Sequence, residues 1–260
     1  MKIVAARERR GGTMGGFHHG QIAGVWFDLD GTLLEVEMRR FIPAYTRGLA
    51  GAFADLTEPE SFAELLLAAT LELLRREDGA CSNETFFLER VTAPLGIDGE
   101  DFKARLAAYC DAELAALAPL VRPHPLARAA LEHCRRAGLR VVLATNPVFP
   151  RAVIEARMAW GGFADYPFEL VTTYENSRYC KPHRGYFTDI LDHMGLEPAR
   201  CLMIGNDTEH DLAARSAGVP TFLAETWLID RGAGAFNADY RGDLAELCRV
   251  VDRLSGSGDH

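Results

Sequence analysis

Residues 24–32 read GVWFDLDGT, a short apolar run that ends on Asp28 and continues through Asp30. Side chains two residues apart in extended backbone point to the same side, which would bring these two carboxylates together. Neighbouring carboxylates repel each other unless a cation or a shared proton compensates them. The stretch therefore predicts a buried strand that leads into an acidic functional loop. The purely structural alternative is an Asx turn with helix capping.

Further short apolar runs alternate with helical patterns along the rest of the chain. Strands alternating with helices of roughly 10–15 residues indicate βαβ units and hence a parallel sheet. Gly138 and Gly218 follow two of the helical segments, at positions where a helix is expected to end. The predicted strands are residues 24–28, 140–145, 170–172, 201–204 and 219–223, and the predicted helices are residues 125–137, 150–160, 182–194 and 208–217.

Residues 38–119 carry helical periodicity and contain no convincing strand. Phe41, Tyr45 and Leu49 show this spacing near the start of the block. A block of about 80 residues is too long for a connection within a compact fold, so we expect an inserted second domain. A proline-rich return to the first domain follows at residues 119–125. The predicted organisation is a loose tail at residues 1–20, a core of residues 21–37 and 120–260, and an inserted helical domain of residues 38–119.

The composition excludes several classes of protein. Of the 260 residues, 48% are apolar and 25% are charged, so the chain can bury a core and is not disordered. The 28 basic residues stand against 37 acidic ones, which argues against nucleic acid as a partner but leaves phosphorylated metabolites open. No apolar run reaches about 18 residues, so we expect no membrane span. The N-terminal residues lack a signal-peptide pattern and the six cysteines are scattered, so we expect a cytoplasmic protein with free thiols.

Two further segments could hold a phosphate group. Thr145 ends a predicted strand and is followed by Asn146, and a hydroxyl beside backbone N–H groups can bind phosphate oxygens. Lys181 precedes Pro182, a favourable first helical residue, so its ammonium and the helix N-terminus would face the same anion. The structural alternatives are an ordinary ST turn and a solvated surface lysine.

A second acidic loop follows the predicted strand at residues 201–204. Residues 205–211 read GNDTEHD, with Asp207 in the loop and Asp211 four residues later on the first helical turn. Both carboxylates could face one cation, whereas an N-cap and a favourable first-turn acid are the structural alternatives. All four segments fall at the carboxyl ends of predicted strands, in one order. Open parallel sheets bind their ligands at that edge.

In these four segments, over roughly residues 24–231, the sequence resembles the haloacid dehalogenase-like hydrolase superfamily. The resemblance implies an α/β fold with a Rossmann-like parallel sheet, helices on both faces, and an α-helical cap formed by residues 38–119. It implies that Asp28 is the nucleophile and that Asp30 is the general acid and base. It also implies that Thr145, Asn146 and Lys181 bind the substrate, with Thr145 and Lys181 stabilising the transition state.

The cofactor implied by the resemblance is Mg²⁺. Its ligands would be the carboxylates of Asp28 and Asp207 and the backbone carbonyl of Asp30, with Asp211 bound through water or behind them. Oxygen ligands of this kind are those that a hard cation prefers.

The implied activity is a Mg²⁺-dependent phosphatase that hydrolyses a small phosphorylated metabolite through an aspartyl-phosphate on Asp28. A haloacid dehalogenase is disfavoured, because a departing halide needs no proton from an acid such as Asp30. A phosphonatase would use a cap lysine, but the one lysine in the cap, Lys103, lies in a polar helical stretch. A sugar phosphomutase uses the same acid and stays open. A non-catalytic phospho-accepting domain is the third alternative, although such domains are shorter and have no cap.

Arg39 and Arg40 stand at the start of the implied cap. They could meet a second anionic group of the substrate, or they could be ordinary arginines on a helix surface.

Overall fold

The computed structural model describes residues 22–232 and 236–256, so the predicted tail at residues 1–20 lies outside the described residues. The described part forms eight strands and eight α-helices, together with short 3₁₀ segments. The strands are β1 (Gly24–Phe27), β2 (Leu34–Val36), β3 (Val121–Pro123), β4 (Arg140–Leu143), β5 (Leu170–Val171), β6 (Cys201–Gly205), β7 (Thr221–Ala224) and β8 (Tyr240–Gly242). The helices are α1 (Met38–Gly51), α2 (Pro59–Arg75), α3 (Asn83–Leu95), α4 (Gly99–Ala112), α5 (Ala127–Arg136), α6 (Arg151–Trp160), α7 (Arg184–Met194) and α8 (Leu244–Ser255).

Six strands form one parallel sheet in the order β5-β4-β1-β6-β7-β8. The central strand β1 pairs with β4 on one side and β6 on the other, so that Phe27 lies beside both Leu143 and Ile204. Every residue of β1 is buried, which is typical of a parallel strand that helices cover on both faces.

Alternate residues of β1 enter two different hydrophobic clusters. Val25 and Phe27 pack in a cluster that includes Leu131 of α5 and Val251 of α8. Trp26 points to the other face, in a cluster that includes Phe187 of α7, and its indole N–H donates to the sulfur of Met194 at 2.9 Å. The sheet therefore carries helices on both faces, and the predicted α/β Rossmann-like fold is confirmed.

Helices α1 to α4 and a 3₁₀ segment, Leu114–Leu120, lie between β2 and β3. These two short strands pair antiparallel, with Leu34 opposite Pro123, so the chain leaves and re-enters the sheet region through one ribbon. Phe53 holds this helical part together from within, because its ring lies 4.6 Å from that of Phe62 and 4.9 Å from that of Phe102. Within residues 22–232 and 236–256, every helix is too short or too polar to cross a membrane.

The helix predicted at residues 208–217 is wrong in its first half. Residues 208–211 form a turn, and only Leu212–Ala217 are helical, as a short 3₁₀ segment. The carboxylate of Asp207 accepts the backbone N–H groups of Glu209 and His210, which closes the turn and leaves no regular helical start. The strand β8 and the ribbon were not predicted, because their residues YRG, LEV and VRP each include a charged side chain and form no continuous apolar run.

Candidate active site

The loops that follow the carboxyl ends of β1, β4 and β6 meet beside the segment that precedes α7. Asp28 directly follows β1, Thr145 lies beyond β4 and Asp207 lies beyond β6. Lys181 reaches this edge from the loop before α7 and touches Asp28. The structure therefore brings the acidic and basic residues predicted for the site to one edge of the sheet.

Lys181 is the buried cation of the site. Its side chain is 1% exposed, and its Nζ donates to Oδ1 of Asp28 at 2.8 Å and to Oδ1 of Asp211 at 2.7 Å. Burial lowers the pKa of Lys181, but the charges of Asp211 and Asp28 outweigh it, and the pKa lies well above its usual value. Lys181 is therefore a fixed positive charge across the physiological pH range.

Asp28 is buried at the end of the central strand. Burial raises the pKa of Asp28 to about 7, the charge of Lys181 acts in the opposite direction, and the charge of Asp211 raises it again. One ammonium thus serves two carboxylates, and the pair remains short of positive charge. Additional positive charge beside Asp28 would favour its ionised form.

Asp211 connects Lys181 to the loop that carries Asp207. Besides its contact with Lys181, its Oδ2 accepts the backbone N–H of Asp207 at 2.9 Å. A Cβ at Gly205 would lie 2.2 Å from this carboxylate, so the last residue of β6 has to be glycine for Asp211 to fit. Both oxygens of Asp211 are thus engaged by the protein itself.

Asp207 forms an ion pair with Arg231, a residue that the sequence analysis missed. The guanidinium of Arg231 contacts both carboxylate oxygens of Asp207, at distances of 2.6 to 2.9 Å. Burial alone would raise the pKa of Asp207, but the bonds from Arg231 and from two backbone N–H groups hold it below its usual value. The sequence offers no signal for this pair, because 24 residues separate the partners.

Asp30 is paired with a second missed residue, Arg157 of α6. Nη1 of Arg157 donates to Oδ2 of Asp30 at 2.5 Å, and the arginine side chain is completely buried. A signal did exist in the sequence, because Arg157 falls at helical spacing with the buried residues Val153 and Ile154. A charged residue on the apolar stripe of a helix indicates a buried partner.

Thr145 and Asn146 connect the loop after β4 to Lys181. The carbonyl of Thr145 accepts hydrogen bonds from Thr172 Oγ1 at 2.7 Å and from the hydroxyl of Tyr186 at 2.9 Å. The side-chain oxygen of Asn146 accepts the backbone N–H of Lys181 at 3.1 Å. Both residues therefore lie close to the segment that carries Lys181, and Asn146 holds the backbone of that segment, whereas their contact with a substrate phosphate stays a prediction.

Lys181 bridges the carboxylates of Asp28 and Asp211, and Arg231 pairs with the carboxylate of Asp207. Among residues 22–232 and 236–256, no three His, Cys, Asp or Glu residues are arranged to hold a metal ion as they stand. The metal site predicted from Asp28, Asp30, Asp207 and Asp211 therefore stays a prediction.

A cavity of about 580 Å³ opens beside Asp30 and Asn206, between the acidic loop and the start of the helical block. Three arginines and two glutamates line it. Arg122 pairs with Glu35 at 2.6 Å and Arg40 with Glu37 at 3.3 Å, whereas Arg39 has no ion-pair partner within the part of the chain that the structure describes. The residues in the lining with charged side chains are Asp30, Glu35, Glu37, Arg39, Arg40 and Arg122.

Comparison with known proteins adds independent findings. A family model described as haloacid dehalogenase-like hydrolase matches residues 22–218. The chain is 28% identical over 242 residues to a ribulose-1,5-bisphosphate 5-phosphatase of Halopiger xanaduensis, covering 87% of this chain and 98% of that protein. It is 27% identical over 221 residues to a phosphoglycolate phosphatase of Caulobacter vibrioides, covering 84% of this chain and 85% of that protein.

A solved structure supports the fold in the same way. The crystal structure of a HAD phosphatase from Thermococcus onnurineus matches with a TM-score of 0.56 at 22% sequence identity, covering 90% of this chain and 100% of that chain. At that level of identity the likeness concerns the fold alone.

Proposed function

This chain belongs to the haloacid dehalogenase-like hydrolase family, and we propose that it is a Mg²⁺-dependent phosphatase acting on a small phosphorylated metabolite. It is a phosphoric monoester hydrolase, with Asp28 as nucleophile. One observation carries the proposal: the buried carboxylate of Asp28 lies 2.8 Å from the buried ammonium of Lys181, at the end of the central strand. An anionic nucleophile beside a fixed cation is suited to attack on phosphorus, because the cation can neutralise the phosphate oxygens. The names of the two relatives support the same activity.

The reaction would proceed in two steps. An oxygen of Asp28 attacks phosphorus to form an aspartyl-phosphate, and the bond from phosphorus to the leaving oxygen breaks. That oxygen keeps the electron pair and takes a proton from Asp30. Asp30 then accepts a proton from water, which attacks phosphorus, releases inorganic phosphate and restores the carboxylate of Asp28. Lys181 and the hydroxyl of Thr145 would stabilise the charge on the non-bridging oxygens.

The residues at this edge offer the type of donor atom that a hard divalent cation prefers. The carboxylates of Asp28 and Asp207 and the backbone carbonyl of Asp30 would hold Mg²⁺, with Asp211 behind them, and all of these donors are oxygen atoms. The carboxylates of Asp28 and Asp211 share the single ammonium of Lys181, so they carry an excess of negative charge. When bound, the cation would reduce the repulsion between the anionic nucleophile and the anionic phosphate. The guanidinium of Arg231 now contacts both oxygens of Asp207 and would have to move aside.

Replacing Arg231 by glutamine is therefore expected to tighten Mg²⁺ binding. The substitution removes both a competitor for Asp207 and a nearby positive charge. Because Arg231 is partly exposed, we expect a gain of about three- to tenfold in affinity. Isothermal titration of the protein with MgCl₂, without substrate, measures this directly. Arg241→Gln is the matched control, since Arg241 pairs with Glu225 on the surface away from the loop. An unchanged or weaker affinity in the Arg231 variant would remove the proposed competition.

We further propose that the substrate carries a second anionic group and that residues 38–119 act as a cap over it. The cavity beside Asp30 is lined by Arg39, whose guanidinium is not neutralised by an ion pair among the described residues. The first helix of the block, α1, supplies this arginine, so a ligand in the cavity would touch both the sheet edge and the helical block. One relative is named for a bisphosphate, which fits a substrate of this class.

A panel of phosphomonoesters, assayed for phosphate release with MgCl₂ and with EDTA, tests this function. Compounds with a second phosphate or carboxylate should be preferred, and EDTA should abolish turnover. Arg39→Ala should raise KM for those compounds about tenfold and leave KM for compounds without the second anion unchanged. Arg47→Ala, an exposed arginine on the same helix outside the cavity lining, is the control.

Three outcomes would contradict parts of the proposal, the first two in this assay and the third in a separate assay of isomer interconversion. Absence of phosphate release from the whole panel would contradict phosphatase activity. An equal effect of Arg39→Ala on both groups of compounds would contradict the second-anion site. Interconversion of sugar phosphate isomers that depends on a bisphosphate primer would show a phosphomutase instead.

The six cysteines are free thiols, which fits the cytoplasmic location that we also propose.

A further inference from the structure

The guanidinium of Arg157 is a fully buried cation outside the residues that the proposed reaction uses. Its side chain is 0% exposed, and the carboxylate of Asp30 is its one ion-pair partner among the described residues. Its Nε also donates to the carbonyl of Val153 at 3.4 Å, one turn earlier on α6. A buried charge is strongly unfavourable unless a partner compensates it, so Asp30 has to stay beside Arg157.

Two aromatic rings fix the guanidinium from different parts of the fold. Its central carbon lies 4.7 Å from the ring centre of Phe149 and 5.6 Å from that of Phe41. Phe149 belongs to the loop before α6, and Phe41 belongs to α1 of the helical block. The two rings are themselves in contact, edge to face, at 6.1 Å. The arginine is therefore held in place by packing that does not involve Asp30.

The two oxygens of Asp30 differ sharply in their surroundings. Oδ2 accepts the hydrogen bond from Arg157, whereas Oδ1 is buried and has no hydrogen-bond partner. Nη2 of Arg157 is likewise buried without a partner. Buried polar atoms without partners are uncommon in folded proteins, and each calls for a specific explanation, such as a catalytic role or a bound water.

We propose that Arg157 is a positioning residue, which holds Asp30 by Oδ2 so that Oδ1 is the oxygen that exchanges a proton with the leaving group. The inference rests on the proposed function, because it assumes that Asp30 is the acid. Oδ2 can accept the hydrogen bond from Arg157 whether Asp30 is ionised or carries a proton on Oδ1, and in the first step that proton passes to the leaving oxygen as its bond to phosphorus breaks. In the second step Oδ1 takes a proton from the attacking water. Arg157 touches neither substrate nor phosphorus and acts through Asp30.

The dependence of kcat/KM on the leaving group tests this role. A phenolate of low basicity, as in 4-nitrophenyl phosphate, departs without a proton, whereas phenol from phenyl phosphate needs one. Arg157→Met should lower kcat/KM for phenyl phosphate about 100-fold and for 4-nitrophenyl phosphate less than about tenfold. A merely structural loss would lower both values by the same factor. Arg157→Lys, which keeps the charge, should restore part of the loss for phenyl phosphate.

Two comparisons make the outcome decisive. Asp30→Asn should also lower kcat/KM for phenyl phosphate more than for 4-nitrophenyl phosphate. The double variant should lose no further kcat/KM for phenyl phosphate. Arg90→Met is the matched control, because Arg90 also lies over a phenylalanine ring and pairs with an acid, Glu72, away from the site. This variant should leave kcat/KM unchanged for both substrates.

Equal losses for both substrates in the Arg157→Met and Arg157→Lys variants would overturn the inference and leave the proposed function intact. If Asp30→Asn lowers kcat/KM equally for both substrates, Asp30 is not the acid, and the inference about Arg157 is then wrong as well.

Discussion

Asp28→Asn is expected to abolish phosphate release, by at least about 10⁴-fold in kcat, or ~5.4 kcal/mol in the barrier. The amide has the same shape as the carboxylate but carries no charge and does not form an acyl phosphate. Its oxygen can still accept the hydrogen bond that Lys181 donates at 2.8 Å, so the geometry of the site is kept. Steady-state assays with 4-nitrophenyl phosphate measure the loss. Trapping of a phosphorylated wild-type enzyme, absent in the variant, identifies the intermediate.

The same substitution should not destabilise the fold at pH 8. Lys181 then faces the single carboxylate of Asp211, so charge is balanced. In the wild type, burial raises the pKa of Asp28 from 3.8 to about 7. The native state therefore holds this proton to higher pH than the unfolded chain, and stability falls as pH rises from about 4 to 7. Asp28→Asn removes that penalty, so its Tm relative to wild type should rise between pH 5 and pH 8.

Retention of more than about a tenth of the wild-type kcat in this variant would exclude Asp28 as nucleophile. A large loss of Tm at pH 8 would contradict the charge balance described for Lys181. Asp211→Asn gives the same charge balance but turns its amide nitrogen toward either the ammonium of Lys181 or the backbone N–H of Asp207, so it should have a lower Tm than Asp28→Asn.

The parts of the site that the sequence predicted are those with local signals. Asp28 directly follows a four-residue apolar strand, and Gly31, with a φ of 90°, allows the sharp turn after Asp30. A Cβ at Gly31 would lie 2.1 Å from the side chain of Asn206, which explains the glycine in this motif. The parallel sheet followed from the alternation of strands and helices, and the order of strands then placed the loops at one edge.

The residues that were missed have long-range partners instead. Arg157 lies 127 residues from Asp30, and Arg231 lies 24 residues from Asp207. In a chain rich in arginine, neither stands out by type. The place of Arg157 on the apolar stripe of α6 indicates a buried partner, but only packing identifies that partner as Asp30. The prediction of a helix over residues 208–211 was wrong for a different reason. Asp207 uses its carboxylate to bond nearby backbone N–H groups, which competes with helix formation.

Lys181→Met is expected to have the largest effect on stability. Methionine matches the length of the side chain but leaves the carboxylates of Asp28 and Asp211 buried without their shared cation. Removal of one partner from a buried ion pair typically costs about 3–5 kcal/mol in the free energy of unfolding. For a chain of this size that corresponds to a fall in Tm of roughly 10 °C. Urea unfolding and thermal melts measure both quantities, and phosphatase activity should also be lost.

The loss should depend on pH in a way that identifies its cause. Lys181 lowers the pKa of Asp28, so its removal raises that pKa further above the unfolded value of 3.8. Below about pH 7 the native states of variant and wild type both hold this proton, so the added penalty grows as pH rises above about 7, and the deficit in stability should be larger at pH 8 than at pH 5. A deficit independent of pH would point to packing rather than charge. Lys103→Met, an exposed lysine paired with Glu100, is the matched control and should change Tm little, because ion pairs on the surface contribute little to stability. If the two lysine variants lost equal stability, the buried ammonium would not be what holds the two carboxylates together.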